Sequence, residues 1–121
     1  MPVYEVETWK VAQGKEKEHE EAMREWMEFV HSHRELFPEW KSLQYFVKYI
    51  AGEETERHQI IWQYDSLAAF EAYKARRKDY EGPYAEYKKS DPYYKGVFNH
   101  ATMKVEVWKD LEKDLWLEQQ S

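Results

Sequence analysis

The chain has 121 residues, no cysteine, and 24 acidic against 18 basic side chains for a net charge of −6; that is one domain's length, without a disulfide, a thiolate nucleophile or a zinc ribbon. An acidic balance argues against a general nucleic-acid binder, which needs a basic field, and no apolar run is long enough to span a membrane. The start, Met1 to Glu5, lacks the basic and apolar regions of a signal peptide, so a cytoplasmic protein is expected, and 19 Glu and 13 Lys beside a single Asn suggest a thermophilic source.

Val3 to Val11 is rich in β-branched and aromatic residues and reads as a strand, broken by Gln13-Gly14. From Lys15 to about Leu36 the period becomes helical, with Met23, Trp26, Met27, Val30 and Phe37 on one stripe and a run of glutamates on the other face. Pro38 ends that helix. Leu43 to Ile50 and Arg57 to Asp65 then alternate as two strands around the Gly-containing turn Ala51 to Glu54, the pattern of an antiparallel hairpin. Ser66 is placed to cap a second helix, whose inner stripe is Leu67, Phe70, Tyr73 and the stem of Arg77. Gly82-Pro83 interrupts it, and a short helix over Tyr84 to Lys89 and the turn Ser90-Asp91-Pro92 follow. Asn99 to Lys109 gives a fourth strand, and Asp110 to Glu118 a short terminal helix. The order β-α-β-β-α-β in residues 1–121 fits one ferredoxin-like α+β domain with an antiparallel sheet. Apolar side chains occur on both faces of the strands, so a partner chain is expected to cover the face the helices leave bare.

Gly14-Lys15-Glu16, then Tyr64-Asp65-Ser66-Leu67-Ala68-Ala69-Phe70, and finally Ser90-Asp91-Pro92-Tyr93-Tyr94-Lys95 resemble segments of the dimeric α+β barrel superfamily, in its antibiotic-biosynthesis-monooxygenase-like and NIPSNAP-like branch. The resemblance implies a homodimeric barrel and leaves chemistry open, because the superfamily holds cofactor-free oxygenases, haem-degrading enzymes, isomerases and proteins without known activity. Haem-degrading members use an Asn on the first strand and a His on the second helix. Here there is no Asn before Asn99 and no His from Leu67 to Arg77, so haem degradation is disfavoured. The stretch around Tyr80 to Tyr84 is an insertion relative to short members, able to reshape or close a pocket between helices and sheet.

Two sets of side chains carry chemistry. Tyr45, Tyr49, Trp62, Tyr64, Phe70 and Tyr73 come from two strands and the helix after them, and with His58 they are the expected lining of one pocket for a flat ligand. The same residues would also serve as an aromatic core. Glu5 and Glu7 share a face of the first strand, and Glu106 on the fourth is expected beside them, a crowding of carboxylates that raises pKa and makes a general acid or base. The plainer reading is a Glu–Lys ladder across strands. His31 and His33 diverge on a helix, and neither His58 nor His100 has metal-ligand spacing. The basic run Lys74, Arg76, Arg77 and Lys78 reads as a solvated helix face.

The expectation is therefore a homodimer binding a small molecule, with no cofactor, metal, nucleic acid or membrane partner. It is monooxygenase-like if it is an enzyme, and otherwise a non-catalytic dimeric module.

Overall fold

A computed structural model describes residues 1–50, 52, 56–111, 115–117 and 119. Strand β1 (Val3–Val11) leads into helix α1 (Glu16–Ser32) and a 3-10 turn at Arg34–Leu36. Strands β2 (Ser42–Val47) and β3 (His58–Tyr64) form the hairpin, followed by α2 (Leu67–Arg77), α3 (Tyr84–Ser90), a 3-10 turn at Pro92–Tyr94 and β4 (Phe98–Lys109). All pairings are antiparallel, in the order β2-β3-β1-β4. This is the ferredoxin-like α+β arrangement expected from the sequence.

Local chemistry sets the element ends. Gly14, at φ +76°, turns the chain from β1 into α1 in a region closed to most side chains. The Ser66 hydroxyl accepts the Ala69 N–H at 3.1 Å and starts α2. β2 stops at Val47, three residues before the expected Ile50. Ala51, Glu53 and Glu54 of the expected turn, and much of the expected terminal helix over 110–118, lie outside the described residues.

Strand register divides the side chains between two faces. Val3, Glu5, Glu7 and Trp9 of β1 stand opposite Tyr64, Trp62, Ile60 and His58 of β3, and this face packs under Ala22, Met23 and Trp26 of α1, Tyr73 of α2, and Tyr84 and Tyr87 of α3. Nine of the fifteen buried apolar side chains are aromatic, so ring area replaces the few aliphatics in the core. The opposite face presents Tyr4, Val6 and Thr8 beside Gln63, Ile61 and Gln59. It continues at the edges with Phe46 and Trp108, 45% and 58% exposed.

Two details depart from the sequence reading. Glu106 pairs with Val6, whereas Glu5 and Glu7 stand opposite Val107 and Val105, so Glu106 lies on the outer face, away from the carboxylates it was expected to join. Leu67 remains half exposed, because it is the first residue of α2 and the packed stripe begins one turn later, at Phe70 and Tyr73.

Candidate functional site: an acidic cavity between helices and sheet

A cavity of about 410 Å³ lies between the inner sheet face and the segments after β3. Glu5 and Glu7 of β1, with Ile60 and Trp62 of β3, face it from the sheet. Lys74 and Arg77 of α2, Tyr80, Asp91 and Tyr94 close it from the other side. Of the stretch from Tyr80 to Tyr84, Tyr80 alone lines the cavity; its phenol, on a residue held at a left-handed φ of 52°, donates to Asp91 at 3.4 Å and accepts from Arg77.

The two glutamates are held differently. Glu5 is 4% exposed, yet it receives the Tyr64 hydroxyl at 3.2 Å and the Lys74 ammonium at 2.9 Å. Glu7 stands between Ile60 and Val105 of the neighbouring strands and has no hydrogen bond or ion pair among the described residues. Burial, then the charges of Glu5 and Asp91, raise its pKa from 4.5 to about 7, against the opposing pull of Lys74 and Arg77. Asp91 is also raised, by burial first, although the Tyr93 N–H and Arg77 hold it down in part. A carboxyl with a pKa near neutrality, beside one ion-paired with Lys74, has the properties of a general base.

Trp62 adds a donor. It is 7% exposed and lines the cavity, and its indole N–H has no acceptor among the described residues. A buried N–H left this way costs about 1–3 kcal/mol, which an acceptor oxygen in the cavity would recover.

The structure divides the expected aromatic set. Trp62 and Tyr73 line the acidic cavity. Tyr64 is wholly buried behind Glu5, with Phe70 edge-on to it at 5.3 Å. Tyr45 and His58 line a different cavity, and Tyr49, 84% exposed, lines neither. The reason is distance along the hairpin: Leu43 pairs with Trp62 and Tyr45 with Ile60, so the Tyr45–His58 end is shifted by about 7 Å, and Met23 of α1 stands between the two spaces.

The basic run is a solvated face only in part: Arg76 and Lys78 are exposed, as expected. Lys74 and Arg77 turn inward, and Arg76 grips Glu39 through two nitrogens, at 2.8 and 2.5 Å. Asp91, Tyr80 and Tyr94 were not legible as site residues. They follow an irregular segment whose position no periodicity dictates. His19 could have been found, since it precedes Met23 and Trp26 by four and seven residues on the apolar stripe of α1. Among the described residues no group of three or more His, Asp or Glu is arranged to hold a metal ion, and no helix is long and apolar enough to cross a membrane.

No family model matches the sequence, and no curated protein matches it. Solved structures do match. A NIPSNAP family protein from Agrobacterium tumefaciens superimposes with a TM-score of 0.67 at 16% identity, over 93% of this chain and 96% of that one. A candidate antibiotic biosynthesis monooxygenase from Caulobacter crescentus gives 0.60 at 16% identity, over 92% and 91%. A dimeric protein of unknown function from Bacteroides fragilis, described as ferredoxin-like, gives 0.60 at 11%, over 90% and 96%. The resemblance read from the sequence motifs thus extends to the course of the whole chain, and what the chain shares with these structures is the ferredoxin-like α+β fold.

Proposed function

We propose that this chain is a dimeric α+β barrel protein that binds a flat, aromatic small molecule in the acidic cavity, where Glu7 accepts a proton from it. The observation that carries the reading is Glu7 itself, a carboxyl with no partner among the described residues and a pKa raised to about 7, on the floor of a cavity walled by aromatic rings. Proton removal leaves negative charge on the substrate. The free Trp62 N–H is placed to hydrogen-bond an oxygen that takes up this charge, and Lys74 and Arg77 supply positive charge nearby. In the monooxygenase-like form of the reading, dioxygen is the oxidant. A methylene becomes a carbonyl, one oxygen atom entering the product and the other leaving as water, with no cofactor.

The outer sheet face supports the dimer. Val6, Ile61, Phe46, Tyr4 and Trp108 form an apolar strip that no element of this chain covers among the described residues, and the Bacteroides fragilis protein of the same fold is described as dimeric.

Deuterium exchange at the acidic methylene of 2-tetralone, followed by NMR in D₂O, tests the base whatever the natural substrate is. The protein should accelerate exchange over buffer with a rise centred near pH 7, and Glu7→Gln should abolish the acceleration. If wild type gives no acceleration, the proton-transfer reading falls. The non-catalytic module then stands in its place, favoured by the full burial of Tyr64 and Tyr73 as core.

A further inference from the structure

A second cavity, of about 900 Å³, opens between the first turns of α1 and the β2–β3 hairpin. Its inner end holds His19, His58 and Tyr45. His19 is 2% exposed, and its Nε2 receives the Trp9 indole N–H at 2.9 Å. An indole nitrogen only donates, so Nε2 carries a lone pair and the neutral ring keeps its proton on Nδ1. Burial, and then the neighbouring His58, lower the His19 pKa to about 4, so the ring is neutral at physiological pH. Its Nδ1–H has no acceptor among the described residues.

The His58 ring lies 4.6 Å from that of His19, centroid to centroid. Its Nδ1 is 2.5 Å from the Tyr45 hydroxyl oxygen. Burial raises the Tyr45 pKa and lowers that of His58, so both groups stay neutral; with the phenol donating to Nδ1, His58 carries its proton on Nε2. That N–H also lacks an acceptor among the described residues. Two adjacent imidazoles that line one cavity therefore each hold a hydrogen-bond donor in reserve.

The rest of the lining sets the ligand's character. Met23, Met27 and Val47 are apolar. Of the charged groups, Arg24 is paired with Glu20 at 3.0 Å, which leaves Lys10 against Glu16 and Glu56. There is no surplus positive charge for an anion. A carboxylate would also favour charged imidazoles where burial opposes them. An uncharged acceptor suits both.

We propose that this cavity is a second binding site, for a neutral apolar molecule carrying a carbonyl oxygen, with His19 and His58 donating to that oxygen and Tyr45 fixing the His58 tautomer. Nothing in this site depends on the acidic cavity.

The test uses protein labelled with ¹⁵N at the histidine rings and three probes of similar size: acetophenone, ethylbenzene, which lacks the oxygen, and benzoate, which carries charge. Acetophenone should shift His19 Nδ1 and His58 Nε2 and bind about tenfold more tightly than ethylbenzene, since the site's donors stay unpaired without the oxygen. His58→Phe should remove most of that preference. Tyr45→Phe should mix the His58 tautomers in the free protein and weaken acetophenone alone. Tyr45 is exposed and His58 half-buried, so these variants keep the test independent of His19→Phe, which strips Trp9 of its acceptor. Equal binding of acetophenone and ethylbenzene, tighter binding of benzoate, or unshifted histidines would overturn the proposal. Glu7→Gln should bind acetophenone as wild type does. A loss there would place the probe in the acidic cavity and also sink the second site.

Discussion

Glu7 and His19 are inner-face residues shifted in opposite senses by burial, and this has a consequence for stability. The Glu7 pKa rises from 4.5 to about 7, so the folded chain binds its proton more tightly than the unfolded one. The resulting stability is fully present below pH 4.5 and is lost as pH rises towards 7. The His19 pKa falls from 6.5 to about 4, so its contribution is present above pH 6.5 and is lost as pH falls towards 4. Asp91 shifts in the sense of Glu7, and His58 in the sense of His19. The Glu7 and His19 shifts each correspond to about 3 kcal/mol over their full range, and between pH 4.5 and 6.5 the two slopes oppose each other. Thermal melts of wild type across that window should be nearly flat. Glu7→Gln should melt higher as pH rises, and His19→Gln, which retains an acceptor for Trp9, should melt lower. Variants that track the wild-type profile would refute the assignment of either group.

Elements after β3 are held by polar contacts as much as by apolar ones. Arg76 of α2 bonds both Glu39 oxygens, and its Nε donates to the Tyr84 hydroxyl at 2.8 Å, which in turn donates to the Leu36 carbonyl at 2.6 Å. One side chain so ties α2 and α3 to the connection before β2. The Glu39 hydrogen bond, followed by that to Tyr84, raises the Arg76 pKa further above its ordinary value. α3 is also pinned to α1, where the Trp26 indole donates to the Tyr87 hydroxyl at 3.0 Å in a buried setting. Tyr87→Phe would keep the ring's packing and leave the Trp26 N–H unpaired, so urea unfolding should show a loss of about 1–3 kcal/mol. A neutral result would mean that water reaches Trp26. Because Tyr84 and Tyr87 fill the core while Tyr80 lines the acidic cavity, the segment after α2 serves as a structural wall as well as a site wall.

For the whole molecule, the sheet has one face under helices and one face that no helix covers among the described residues. Helix packing buries Trp9, Tyr64 and Tyr73 almost completely, while Val6 and Ile61 pair with each other on the other face and are half-buried, with Phe46 and Trp108 exposed at the rim. An apolar strip across a sheet centre is a self-complementary surface for a two-fold dimer. Ile61→Glu should therefore halve the mass seen by light scattering at micromolar concentration without changing the circular dichroism. A wild-type protein that runs as a monomer would remove the dimer from the proposed function.

The chain's order of elements, the faces of each strand and the bounds of α2 follow from sequence alone, because alternation, helical period and the Ser66 cap act over a few residues. Which face of β4 meets which face of β1 does not follow, since both strands carry apolar side chains on both sides. Val105 and Trp108 are equivalent candidates for the inner face until register is set, and that ambiguity displaced Glu106. The same limit hid the difference between Glu5 and Glu7. Their surroundings differ because Lys74 and Tyr64 reach one carboxylate while Ile60 and Val105 flank the other. Such contacts join residues 53 to 98 positions apart. Tertiary packing alone decides them, because desolvation and ion pairing depend on depth and distance in space, which local pattern does not encode.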